Sequence, residues 1–230
     1  MRDYTALEKK LGYEFRDKKL LKHALIHSSY AAEHGMEYEE NNERLEFIGD
    51  AYLDAVIGKK LYESMPHEPE GVLSKTRANI VCEGSLARVA RQISLGDFLM
   101  LGHGEELHGG RDKDSILSDA MEAVIGAIIM EAGYDICDHV VLKLFRENVV
   151  LALQGKLYHD YKSALQERLQ GMQKKGHVDY VLVSEDGPDH DKTFTVEVRS
   201  DGRVLGTGTG KNKKTAEQEA ARNVLMKGVQ

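Results

Sequence analysis

Two stretches, NNERLEFIGDAYLD (Asn41–Asp54) and SILSDAMEAVIGAIIM (Ser115–Met130), decide how most of this chain is read. On a helix, Glu43, Glu46 and Asp50 stand at i, i+3 and i+7 and share one face, while Leu45, Ile48 and Tyr52 lie elsewhere on the cylinder. Three like charges on one stripe repel unless a cation or a basic partner sits among them; a solvated face laced with salt bridges is the plainer alternative. The second stretch is almost wholly apolar or small, so the helix it predicts is buried on most sides, yet Asp119 and Glu122 interrupt it, again at i, i+3. Burying two unpaired carboxylates costs several kcal/mol, so they are protonated, paired or bound to a metal, and no Lys or Arg lies within the stretch. Facing each other, the two acidic stripes make an all-oxygen pocket suited to a hard cation such as Mg²⁺ or Mn²⁺. Gly49 and Gly126 allow the two helices to approach closely.

Around these stretches the chain reads as helical. Apolar residues recur at three- and four-residue spacing in Tyr4–Leu11, Lys18–Ser28, Arg44–Leu61, Leu73–Arg91 and Ser115–Glu131. Gly71 precedes one helix, Gly102, Gly104, Gly109 and Gly110 mark a loop, and Gly133 ends the run before it. The period changes after about Leu153. A short polar connection is followed by a helix over Asp160–Met172, with Leu165 and Leu169 on one face. VDYVLVS (Val178–Ser184), KTFTVEVRS (Lys192–Ser200) and RVLGTGT (Arg203–Thr209) then alternate with period two between Gly, Asp and Pro turns. A last helix, Lys213–Met226, turns Ala216, Ala220 and Val224 inward. The expected fold is two domains: an all-α domain over residues 1–153, a linker over 154–159, and an α+β domain of order α-β-β-β-α over 160–230.

Composition supports that division. The 230 residues carry 31 Lys+Arg against 38 Asp+Glu, a net charge of −7, and 41% hydrophobic residues, too apolar for a disordered chain. The charge is uneven: Met1–Gly155 carries net −9 and Lys156–Gln230 net +2, which points to two modules with different tasks. No apolar run is long enough for a transmembrane helix, and the start, MRDYTALEKK, lacks the layout of a secretory signal. Cys82 and Cys137 sit in unrelated segments and form no zinc motif, so a cytoplasmic protein is expected.

NNERLEFIGDAYL closely resembles the signature of the bacterial ribonuclease III family, usually H-N-E-R-L-E-F-L-G-D. The match continues in PEGVLSKTRANIV (Pro69–Val81) and GGRDKDSILSDAMEAVIGA (Gly109–Ala127), in the family's order and spacing. Departures are slight: Asn41 stands where His is common, and Ile48 and Tyr52 replace other apolar residues. The resemblance implies that Glu46, Asp119 and Glu122 ligate a divalent metal, Mg²⁺ or Mn²⁺, with Asp50 and Glu122 closest to catalysis. It places Glu43 and Glu70 as accessory acidic residues, and Phe47 as an aromatic inserted into the partner of a homodimer. An ordinary core Phe is the plainer reading of Phe47. The implied activity is metal-dependent hydrolysis of double-stranded RNA, leaving 5′-phosphate and 3′-hydroxyl ends with a short 3′ overhang. Ribosomal-RNA precursors and some messenger and transfer RNAs are the implied substrates.

The last domain resembles a double-stranded-RNA-binding domain. SALQERLQ offers Gln166 and Glu167 toward a minor groove, GPDH (Gly187–His190) carries His190 at a loop tip, and KNKKTAEQEAA places Lys211, Lys213 and Lys214 where the family grips phosphates. Lysines at a helix N-terminus oppose the macrodipole, so an anion is their natural partner, with Asn212 as N-cap. Two rival readings are a duplex-RNA-binding protein with an inactive nuclease fold, and a metal phosphohydrolase for small substrates. The first predicts loss of one of Glu46, Asp50, Asp119 or Glu122, all present; the appended domain opposes the second. His23 and His27 at i, i+4, without a third ligand, read as packing or surface residues, and Cys82 as a small core residue. Glu37, Glu39 and Glu40 read as a solvated approach to the signature helix.

Overall fold

A computed structural model describes residues 3–157, 161–171, 178–188 and 192–227. The chain divides into two compact units, Met1–Leu157 and Tyr158–Gln230. The first is all-helical among its described residues: α1 (Thr5–Leu11), α2 (Lys18–Ala24), α3 (Ser28–Glu33), α4 (Glu43–Ser64), α5 (Glu70–Val81), α6 (Glu83–Gln92), α7 (His103–Leu107), α8 (Asp114–Ala132), α9 (Tyr134–Leu144) and α10 (Arg146–Leu153), with three short 3₁₀ turns between them. The second runs α11 (Tyr161–Gly171), β1 (Val178–Asp186), β2 (Thr193–Ser200), β3 (Arg203–Gly210) and α12 (Lys213–Lys227). The fold class read from the sequence is the one observed.

α8 is the axis of the first unit. Ile116, Leu117, Ala120, Met121 and every residue from Ala123 to Ile128 are buried, so its surface is apolar nearly all round. α4 lays Leu45, Leu53, Val56, Ile57 and Leu61 into the same core. The two helices meet where each carries a glycine. A Cβ on Gly49 would fall 1.8 Å from the Glu122 carbonyl oxygen, and one on Gly126 would fall 2.0 Å from the Leu45 carbonyl oxygen. Backbone therefore touches backbone, at a separation no side-chained residue permits. Gly133, at φ +77°, ends α8 by donating its N–H to the Ile129 carbonyl.

The structure corrects several boundaries. Lys18–Ser28 is not one helix: α2 stops at Ala24, and Ile26 forms a parallel bridge with Met100. His27 N donates to Met100 O and Met100 N to Leu25 O, so pairing with a distant segment overrides a helical pattern. Leu73–Arg91 is likewise two helices, broken at Cys82, whose extended backbone (φ −74°, ψ 160°) opens α6. Cys82 is half-buried, and its Sγ accepts from Ser85 N at 3.4 Å, so it is a cap rather than a core residue. The glycine-marked loop at 102–110 contains α7 and a 3₁₀ turn, and Glu37–Glu40 closes a capping box around another.

In the second unit the three strands form one antiparallel sheet, β1-β2-β3. Ser200 pairs with Arg203 across a two-residue turn in which Asp201 (φ 49°) and Gly202 (φ 77°) both take left-handed backbone, the conformation Asp-Gly favours in tight hairpins. Val198, Leu165, Leu169, Ala220, Val224 and Leu225 make the core. Gly208 lets β3 lie directly against α12: a Cβ there would fall 2.1 Å from Ala220 N.

The crossing of α4 and α8 is testable. Gly126→Ala is expected to lower stability by about 3 kcal/mol, because the added carbon meets rigid backbone rather than a movable side chain. Gly71→Ala, in the exposed first turn of α5 where nothing lies within 4 Å, serves as the control and is expected to leave the urea unfolding midpoint unchanged or slightly raised.

A candidate metal centre and a basic helix terminus

Glu46 lies one turn before Gly49 on α4, and Glu122 one turn before Gly126 on α8, so the glycine contact carries both carboxylates to the same place. Asp119 follows on the same face of α8, at i−3 from Glu122. One carboxylate oxygen from each of Glu46, Asp119 and Glu122 lies within 4.8 Å of the other two. All three side chains are half-buried, and among the described residues none pairs with a Lys or Arg. Burial pushes the Glu46 carboxyl up to about 7, with the neighbouring charges of Asp119, Glu43 and Asp50 adding to the shift. Burial likewise raises Glu122 to about 8, helped by Asp50, Glu46, Asp119 and Asp54. Asp119 is also raised by burial, against a hydrogen bond from Ser118 Oγ that favours its charged form.

These residues fit a divalent cation. Opposed oxygens on a hard cation lie roughly 4–5 Å apart, and Mg²⁺ takes oxygen ligands almost exclusively. Half-buried carboxylates without a counter-ion are electrostatically incomplete, and a double positive charge completes them.

The other acidic residues are placed differently. Asp50 is exposed, one turn beyond Glu46, and its charge acts on both Glu46 and Glu122. Glu43 is half-buried at the start of α4, and its carboxylate raises the pKa of the Tyr38 hydroxyl. Glu70 opens α5, is exposed, and accepts from Ser74 Oγ at 2.6 Å. Sequence reading passed over Asp54, which continues the α4 stripe at i+4 from Asp50. It lies 3.7 Å from the Arg77 guanidinium. The i+4 spacing was the available signal.

Phe47 is 78% exposed, which excludes a core role within the described chain. Together with Tyr38, Leu45 and Met130 it lines a surface cavity of about 730 Å³. In the second unit, Lys211, Lys213 and Lys214 are exposed around the start of α12. Asn212 caps this helix, its Oδ1 accepting from Thr215 N at 2.8 Å. Three cations here oppose the helix dipole. On α11, Gln166 is half-buried and Glu167 exposed beside the buried Leu165. His190 lies outside the described residues.

Residues 17–149 match the family model described as Ribonuclease-III-like, and residues 161–227 match the double-stranded RNA binding motif. Ribonuclease 3 of Caldanaerobacter subterraneus subsp. tengcongensis is 52% identical over 223 residues, covering 97% of this chain and 97% of its own length. Ribonuclease 3 of Pelotomaculum thermopropionicum is 47% identical over 224 residues, covering 97% and 92%. A solved nuclease domain of ribonuclease III from Campylobacter jejuni, described as flexible in a region involved in dimer formation, superposes with a TM-score of 0.59 at 47% identity. It covers 64% of this chain and 98% of that one. A helical nuclease unit with clustered carboxylates, followed by a duplex-binding module, defines an endoribonuclease for double-stranded RNA. The chain belongs to the ribonuclease III family.

The raised carboxyls set a pH dependence. Their folded values, about 7 and 8, exceed the ordinary 4.5, so between about pH 4.5 and 8 the metal-free folded state holds more protons than the unfolded one. Stability therefore falls as pH rises through that window. Melting followed by circular dichroism in a chelator is expected to show a midpoint that drops from about pH 6 to about pH 8. Glu122→Gln is expected to flatten that drop and melt a few degrees higher at the alkaline end. Added Mg²⁺ is expected to stabilise the wild type more at the alkaline end than at the acidic one.

Proposed function

We propose that this chain hydrolyses phosphodiester bonds of duplex RNA in a divalent-metal-dependent reaction, leaving 5′-phosphate and 3′-hydroxyl ends with a short 3′ overhang. Residues 1–153 carry catalysis, 160–230 carry duplex binding, and 154–159 join them. The observation that carries this reading is the cluster of Glu46, Asp119 and Glu122, three half-buried carboxylates with no cationic partner among the described residues.

In this reading Glu46, Asp119 and Glu122 hold the cation, Mg²⁺ or Mn²⁺. When bound, it supplies Lewis acidity toward the phosphoryl oxygens and lowers the pKa of water at the site. Asp50, exposed beside the cluster, holds the attacking water and takes its proton. The water oxygen bonds to phosphorus as the bond to the 3′ oxygen breaks; that oxygen leaves, takes up a proton, and the phosphate stays on the 5′ end. Glu43 and Glu70 flank the site as accessory acids that place water and RNA. Net charge on the first unit repels RNA, so the cation and the exposed lysines of α12 carry attraction. Lys211, Lys213 and Lys214 grip phosphates, while Gln166, Glu167 and His190 approach the minor groove by shape and 2′-hydroxyl contacts. Ribosomal-RNA precursors and some messenger and transfer RNAs, in the cytoplasm, are the substrates this reading assigns.

Two strands must be cut to leave an overhang, which calls for two sites and hence a homodimer. Phe47, Tyr38 and Met130 form an exposed apolar face beside the 730 Å³ cavity, which supports pairing through that face.

Incubating the protein with a perfect RNA duplex, with and without Mg²⁺, and mapping the ends tests the reaction. Cleavage is expected only with metal. Glu122→Gln is expected to lose at least about a thousandfold in kcat while duplex affinity in a gel-shift assay stays within twofold. Metal-independent cleavage, or an active Glu122→Gln, refutes the assignment. For the dimer, Phe47→Ala is expected to shift sedimentation equilibrium toward monomer at micromolar concentration, with no loss of helicity.

A further inference from the structure

His27 stands between α2 and α3, set aside by sequence reading as a packing or surface residue, and it has an unusually well-defined protonation state. Its backbone is held on two sides: His27 N donates to Met100 O at 3.1 Å, and Asn42 N donates to the adjoining Ile26 O at 2.9 Å. Its side chain caps α3, with Nδ1 accepting from Ser29 N at 3.2 Å. A backbone N–H can only donate, so Nδ1 must present a lone pair. Ser29 Oγ, 2.8 Å from Nδ1, accepts from Gly102 N at 2.9 Å and so turns its own hydrogen toward the ring. The ring hydrogen of the neutral imidazole is thereby fixed on Nε2. Burial acts in the same direction, lowering the pKa of the half-buried ring. Nε2 has no hydrogen-bond acceptor among the described residues.

The charges that act on this ring are the carboxylates of Glu105, Asp119 and Glu43 and the ammonium of Lys113. Glu105 and Lys113 are already ion-paired to each other. Asp119 belongs to the carboxylate cluster, and the Ile26 carbonyl next to His27 is held by Asn42 N at the start of α4, the end of that helix that carries Glu43 and Glu46, so His27 lies beside the candidate metal centre. A rigid, neutral N–H at the edge of an anionic site suits an anionic oxygen brought by the substrate, since it adds a donor without competing for the cation. We infer that His27 is a substrate-contacting residue whose Nε2–H donates to a non-bridging phosphate oxygen of the RNA strand passing the carboxylate cluster. The inference rests on the nuclease reading above. Ser29 and Gly102 are positioning residues that set the tautomer.

The two jobs of His27 can be separated by substitution. His27→Asn keeps a good N-cap for α3 but has no atom at Nε2; His27→Gln returns an N–H to that reach and surrenders the cap. Full-length variants are assayed on an RNA duplex across a Mg²⁺ titration, alongside melting temperature. His27→Asn is expected to melt within about 2 °C of wild type yet lose about a hundredfold in kcat, the scale of one transition-state donor, with unchanged Mg²⁺ half-saturation. His27→Gln is expected to melt lower and recover part of kcat. Full activity in His27→Asn overturns the inference, as does loss of kcat that merely tracks melting temperature in both variants. A raised Mg²⁺ half-saturation, with kcat restored at high metal, also overturns it, because His27 would then act on Asp119. Wild type assayed in parallel separates the failures: a wild type that does not cut sinks the nuclease reading and this inference together, whereas an unimpaired His27→Asn sinks this inference alone.

Discussion

The functional half of the molecule hangs on one contact, the backbone-to-backbone meeting of α4 and α8 at Gly49 and Gly126. Helices normally pack with axes about 8–10 Å apart, spaced by their side chains. Removing the side chain from each surface at the crossing brings Glu46 and Glu122, each one turn away, to within reach of a common ion. The cost of crowding three carboxylates is visible in the raised values of Glu46 and Glu122. Apolar burial along the rest of α8 offsets it, with Ile116, Leu117, Met121, Val124 and Ile128 fixing the helix in the core. The acidic residues could not gather on their own; the hydrophobic core holds them together.

Much of this was legible in the sequence because its signals are local. The i, i+3 spacing of Asp119 and Glu122 in an apolar stretch announced incomplete burial of charge, and Gly49 and Gly126 stood where a close approach would need them. The strands after Val178 were legible by alternation, and the Asp201–Gly202 turn by composition. What escaped was set by contacts that leave no mark on periodicity. Leu25–His27 carries a helical pattern but is drawn into a bridge with the distant Met100, and Cys82 breaks a continuous run where its thiol caps the next helix through Ser85 N, three residues on. The extra residues at Val183 and Leu205, where the register of the sheet shifts, are equally silent in the alternation. The hydrogen bonding around His27 escaped in the same way, since it depends on Ser29 and on Gly102, which lies 75 positions further along the chain.

The two units divide the electrostatic labour. The helical unit is net acidic and clusters three carboxylates whose spacing fits a cation; the smaller unit places lysines where its own helix dipole disfavours them. Each unit concentrates charge of one sign at one place, and in the proposed function a metal ion answers the first and polyanionic duplex RNA the second.

The crossing also governs when the carboxylate cluster can form. Gly49 and Glu122 are 73 positions apart in the chain, so the carboxylates assemble only after α8 has been synthesised and has folded back on α4. Since chains emerge at roughly 5–20 residues per second, an interval of several seconds separates the birth of the first acidic stripe from its completion. During that interval the growing polypeptide holds half a site. The spacing of the two helices along the chain thus sets the order in which the cluster comes together.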